Sequence, residues 1–255
     1  MSDTGANLSD IKDVHIPGVQ GNFREIIEAR IIKLRSTKSA DNHDSARFFE
    51  YLLSEVDADE YSLIQRHYLS APDGMTKYLD PIVWFESKLR VARKLGLNNK
   101  GPLKILDLGT GPGHFPVVAR YYGHDVTGTD LPRVSGGVDK TGHFYDALCS
   151  IYRVKRISHV IKPNEPLGGL NRDYAMVTTF LAAFNVDERK MPWSVENWRF
   201  FLTDINLNVL ARNGVLFMML DDKKLTGEVW QYLVSLAEWS EPRSKQVYIS
   251  NFAPL

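Results

Sequence analysis

KILDLGTGPGHF, residues 104–115, is an apolar run that breaks into a loop with glycine at 109, 111 and 113. Its first five residues have the length and composition of a strand buried on both faces. Glycine tolerates positive φ and carries no Cβ, so three of them at one turn leave bare backbone there. Pro116 suits the first turn of a following helix, whose free N–H groups face the same place. Strand, glycine loop and helix in this order predict a ligand resting on main chain beyond the strand's carboxyl end.

Downstream, the apolar runs DVTGTD, RISHVIK, YAMVTTF and GVLFMML alternate with the helical segments FPVVARYY, HFYDALCSIY, VENWRFFLTDINLNVLA and GEVWQYLVSLAEW. That alternation predicts an α/β domain over 101–255, with a doubly wound, mostly parallel sheet and helices on both faces. ARNG before VLFMML reads as a helix stop and a turn into a strand. QVYIS adds a last strand, antiparallel at the sheet's end. Upstream, residues 21–100 are helical: Phe23, Ile26, Ile27 and Ile31 share one stripe of FREIIEARIIKLR. Asp80 and Pro81 open a further helix that stops at Gly96. NNKGP, 98–102, reads as the boundary between the two regions, and residues 1–20 as a polar tail.

Lys plus Arg and Asp plus Glu are both 31, giving a formal net charge of zero and no general attraction to nucleic acid or an anionic membrane. The one cysteine, Cys149, excludes an internal disulfide, and a reducing cytoplasm is the expected compartment. The polar start MSDTGANLSD lacks the features of a signal peptide, and no apolar stretch is long enough to cross a bilayer.

Asp130 ends the second strand about 20 residues after Gly109, where a carboxylate can accept both hydroxyls of a ribose. A dinucleotide is disfavoured. The G-x-G-x-x-G fingerprint ends on a small residue, but its sixth position falls on His114 when counted from Gly109, or on Pro116 from Gly111. The loop instead follows D-x-G-x-G-x-G, led by Asp107. A nucleoside cofactor without a pyrophosphate fits better.

In order and spacing, ILDLGTGPGHF, GHDVTGTDLP, RDYAMVTTF and LARNGVLFMML resemble the class I S-adenosylmethionine-dependent methyltransferases over residues 101 to about 221. The resemblance implies a Rossmann-like fold with S-adenosylmethionine as cofactor. It assigns Asp107, Gly109, Thr110, Gly111 and Gly113 to the methionine part of the cofactor, Asp130 to the ribose and Leu131 to the adenine. Asn164 or Glu165 would take the adenine amino group. Helical additions such as 21–100 commonly form a lid over the acceptor side in this family, although here they could equally form a homodimer contact. The family usually carries two strands after the fifth, whereas the sequence offers one clear strand.

Methyl transfer needs the acceptor lone pair aligned with the methyl group, water excluded, and a base where the acceptor carries a proton. The loop after the fourth strand, LAAFNVDERKMPWSVENW, lacks the [DNS]-P-P-[YF] tetrapeptide of family members that methylate nucleic-acid bases or glutamine amides. A small-molecule acceptor is therefore expected, a sugar or secondary metabolite preferred. Asn185 and Asp187 are the candidate acceptor-side groups, and His114 and His143 the candidate bases. Trp193 reads either as a wall of the site or as a staple onto a helix capped by Ser194. No grouping of side chains has metal-ligand spacing. Two rivals remain: a scaffold of this fold that binds the cofactor without catalysis, and an NAD(P)-dependent oxidoreductase that tolerates His114.

Overall fold

The computed structural model describes residues 22–68, 75–131, 140–170, 172–181, 184–186, 190–250 and 252. The chain divides into two compact units, Met1–Trp84 and Phe85–Leu255. The division falls inside a helix, ahead of the 98–102 stretch that reads as a boundary in the sequence.

The first unit is helical where described: α1 (Phe23–Arg35), α2 (Ala40–Glu55), α3 (Ala58–Tyr68), a 3-10 turn at Met75–Leu79, and the start of α4 (Pro81–Lys94). Asn22 and Glu25 cap α1 reciprocally, each side chain accepting the other's backbone N–H. Phe23, Ile27 and Leu34 are the buried stripe of α1, with the Phe23 and Tyr61 rings 4.2 Å apart. Asp80 caps α4 by accepting the Val83 N–H at 3.1 Å, and the chain leaves that helix through Gly96 at φ 69°, both as the sequence predicts.

The second unit is built on a seven-stranded sheet of order β3-β2-β1-β4-β5-β7-β6. Its strands are β1 (Lys104–Leu108), β2 (Asp125–Asp130), β3 (Arg156–Ser158), β4 (Tyr174–Phe180), β5 (Leu210–Met219), β6 (Trp239–Glu241) and β7 (Gln246–Ile249). The first five run parallel; β7 is antiparallel to β5, and β6 to β7. The helices α5 (His114–Tyr121), α6 (Lys140–Ile151), α7 (Val195–Asp204) and α8 (Gly227–Leu236) alternate with the strands. This is the doubly wound α/β fold expected from the sequence. Successive strands step outward from β1 to β3, and the chain then returns to place β4 on the other side of β1. That reversal opens a crevice at the carboxyl ends of β1 and β4.

Three elements depart from the sequence reading. The end of the sheet has two strands, because Trp239 leaves the expected helix to stack on Tyr248, its register partner on β7, at 5.5 Å and 6°. The third strand stops at Ser158, so His159–Lys162 lies outside the sheet. The helix after Trp193 widens into a π-helical turn at Ile205–Val209, and β5 opens with the bulge that carries Asn213 at φ 64° and Gly214.

Trp193, Trp198, Phe201 and Leu202 form the centre of a core shared with β4, β5, α8 and β7. Trp193 is the staple: it precedes the Ser194 cap and lies 5.4 Å from Trp198, fixing the entry to α7.

Candidate functional site

Asp107 anchors the site from below. Its carboxylate is 2% exposed and accepts two hydroxyl hydrogen bonds at 2.7 Å, from Thr110 in the glycine loop and from Thr178 on β4. Burial pushes its pKa up to about 6, against the pull of the two hydroxyls and the Lys88 ammonium. The side chain expected to touch the cofactor is thus a girder between loop and sheet. Thr110 also gives its N–H to the Thr129 carbonyl at 2.8 Å. It leaves no room on β2 for a side chain at Gly128, where a Cβ would fall 2.7 Å from the threonine methyl.

The three loop glycines all lie at positive φ: 67° at 109, 52° at 111 and 84° at 113. Gly113 is also sterically confined, since a Cβ there would meet Val154 Cγ2 at 2.9 Å and Cys149 Sγ at 3.2 Å. The Cys149 thiol donates to the Gly111 carbonyl at 3.3 Å, and burial pushes its pKa up to about 12, so it serves as packing.

Asp130 closes the loop from the end of β2. Its Oδ2 accepts the Gly111 N–H and its Oδ1 the Leu131 N–H, both at 2.8 Å. Arg156 on β3 approaches it at 3.4 Å and pairs with Asp146 on α6, tying four elements to one carboxylate. Beside it, Leu131 is 65% exposed. On the loop after β3, Asn164 is exposed at φ 57°, and Glu165 pairs with Lys162 at 3.2 Å.

The acceptor-side candidates separate. Asn185 is buried, donates its Nδ2 to the Lys224 carbonyl at 2.8 Å, and keeps an Oδ1 without a partner among the described residues. Asp187 lies outside the described residues. His143 is exposed on α6 and shares no hydrogen bond with the loop among the described residues. His114, the other candidate base, is buried. Its ring sits 5.0 Å from Phe85 and 5.8 Å from Tyr152, and burial, aided by Lys88, lowers its pKa to about 3.

That burial has a pH signature. The unfolded chain takes a proton on this histidine below about 6.5, whereas the folded chain refuses it until about 3. The contribution of neutral His114 is therefore whole above 6.5 and lost as pH falls toward 3. Relative to wild type, His114→Phe should gain about 1 kcal/mol between pH 7.5 and 5.5. Urea melts at the two pH values check this, and an unchanged difference would contradict the buried neutral ring.

Sequence reading missed Lys88, Gly128, Arg156 and Thr178. Lys88 carries a signal in retrospect: it falls in the stripe Phe85, Leu89, Ala92 of α4, where an apolar residue belongs.

No protein-family model matches the chain, and no curated protein does. Among solved structures it is similar to a protein of Methanococcus maripaludis described as a candidate S-adenosyl-L-methionine-dependent methyltransferase (TM-score 0.47, 11% identity, 71% of this chain and 90% of that one). A TehB-like SAM-dependent methyltransferase from Corynebacterium glutamicum matches with TM-score 0.45 and 15% identity, over 76% of this chain and 97% of that one. SAM-bound CalS10, an amino pentose methyltransferase from Micromonospora echinaspora, matches with TM-score 0.36 and 18% identity over 56% of this chain, spanning about half (54%) of its own length. The fold assignment itself rests on the strand order and register given above.

Proposed function

We propose that the protein is an S-adenosylmethionine-dependent methyltransferase acting on an oxygen or nitrogen of a small molecule. The observation that carries this reading is the Asp130 carboxylate. It ends β2 beside the crevice, fixes the Gly111 N–H, and keeps an Oδ1 lone pair for a ribose hydroxyl. Bare backbone at 109–113 suits the methionine part, exposed Leu131 offers apolar surface to the adenine, and the Asp107 charge favours a cationic sulfur nearby. Packing of His114 against Phe85 and Tyr152 fills the position that a dinucleotide fingerprint keeps small.

The cofactor supplies a methyl group on a cationic sulfur that leaves as a neutral thioether. The chain has to hold that group, align the acceptor and exclude water. Asn185 is our acceptor-side residue, its Oδ1, without a partner among the described residues, able to accept a hydroxyl or amine proton in a hydrogen bond. His143 remains the candidate base, and Asn164 our choice for the adenine amino group. Zero formal charge and the missing Pro-Pro tetrapeptide favour a sugar or secondary metabolite as acceptor.

A second reading, a scaffold that binds the cofactor without catalysis, is favoured by the burial of His114, which lowers the pKa of that candidate base to about 3. Titration with S-adenosylmethionine and with NADH tests the first claim: heat with the former and silence with the latter is expected, and the reverse would overturn it. Labelled methyl appearing on no sugar or metabolite offered would then favour the scaffold.

A further inference from the structure

Three stretches of backbone meet at the amino end of the sheet: the exit of α4, the start of β1, and the turn from α5 into β2. Gly123 at φ 88° makes that last turn, and the next residue, His124, sits between the other two at 3% exposure. Its Nδ1 accepts the Leu103 N–H at 3.2 Å, and its Nε2 lies 3.0 Å from the Leu97 carbonyl. A peptide N–H only donates and a carbonyl only accepts. The ring is therefore neutral, with its one proton on Nε2. The Asp125 N–H bonds the Leu103 carbonyl at 2.9 Å, just ahead of the Lys104–Asp125 register pair. The imidazole thus adds one further rung before the β1–β2 ladder begins.

No other state of the ring holds both partners. A second proton would go to Nδ1, point at the Leu103 N–H and leave that amide without its acceptor. The surroundings favour the neutral form. Burial lowers the histidine's pKa most, the Leu97 carbonyl pulls it back, and Lys100, just past the 3-10 turn, lowers it further. The other charges on the elements it joins are engaged elsewhere. Lys94 at the end of α4 donates to Gln246 at 2.7 Å, Lys104 pairs with Asp173 at 2.5 Å, and Arg120 on α5 donates to the carbonyls of Tyr152 and Arg153. Asp125, the next residue, acts on Lys104.

We propose that His124 is a proton-operated latch between α4 and β1: protonation breaks the Leu103 bond and frees the Leu97–Leu103 connection from the start of the sheet. The latched helix carries Phe85 against His114 and Lys88 over Phe180. Acid therefore loosens one end of the element that packs on the helix after the glycine loop. The latch needs no ligand and works whatever the crevice binds. Its sign follows from linkage: neutral His124 contributes fully above about 6.5, the unfolded value, and the contribution is lost as pH falls toward the lowered folded value.

Amide hydrogen exchange of the full chain, followed by NMR, reads the latch at Leu103. After correction for intrinsic exchange, Leu103 protection is expected to fall roughly 5- to 30-fold from pH 7 to pH 5, while Val177 in the central strand β4 keeps its own. The imidazole nitrogen shifts of wild type should show the Nε2–H tautomer at pH 7, with the second proton arriving only below 6.5. His124→Asn keeps a non-titrating acceptor near the Nδ1 position, so its Leu103 protection should stay within about twofold over the same range. Leu103 protection that holds through the ring's titration would overturn the latch, as would a ring that titrates at 6.5 or above. A His124→Asn protein that loses protection like wild type would do the same. So would a loss at Leu103 that comes only with an equal loss at Val177, which is acid unfolding of the whole sheet. The wild-type arms decide the matter even where the variant does not fold.

Discussion

Replacing Gly113 with alanine is expected to destabilise the second unit by about 2–5 kcal/mol, because two penalties add. The residue sits at φ 84°, where an L side chain costs about 1–2 kcal/mol. The new Cβ would also stand 2.9 Å from Val154 Cγ2 and 3.2 Å from Cys149 Sγ, and overpacking of this kind costs about 1–3 kcal/mol. Gly111 separates the two terms. It has φ 52°, but its nearest neighbour to an added Cβ is Tyr145 Cε2 at 3.9 Å, so Gly111→Ala should cost only the conformational part, about 1–2 kcal/mol. Urea denaturation of both variants measures the gap. Equal losses would mean that the wall formed by Val154 and Cys149 does not confine the loop.

Asp130→Ala is expected to weaken S-adenosylmethionine by about 1–3 kcal/mol, or roughly 5- to 150-fold in Kd. The carboxylate has two duties in the same crevice: it pins the Gly111 N–H, and under the proposed function it accepts from the ribose. Asp130→Asn keeps an acceptor for Gly111 but loses the charge that faces Arg156, so its loss should be smaller. Calorimetric titration gives both numbers. An unchanged dissociation constant in the alanine variant would refute the ribose assignment.

The parts of this fold that can be read from sequence are those whose causes are local. KILDL is apolar enough to be buried on both faces, and the alternating glycines mark backbone at positive φ. Asp80 and Pro81 announce the start of α4. What stays hidden depends on residues distant in the chain. β6 is three residues long and exists through its pairing with β7, so helical periodicity carries the eye past Trp239. His114 reads as a candidate base, and its packing against Phe85, 29 positions earlier, is not legible in the sequence. Asp107 reads as a ligand contact, and its second duty, a tie between strands through a hydrogen bond from Thr178 that spans 71 residues, is hidden in the sequence. Arg156 and Lys88 sit in runs that read as strand and helix, and their meaning lies in the carboxylates and the ring they face.

A crystal structure with S-adenosylhomocysteine soaked in tests the central claim most directly. The ribose hydroxyls are expected within hydrogen-bond reach of Asp130, with the thioether sulfur over the bare backbone of 109–113. A crevice that stays empty, or that fills only with a dinucleotide, would contradict the reading of this chain as a methyltransferase.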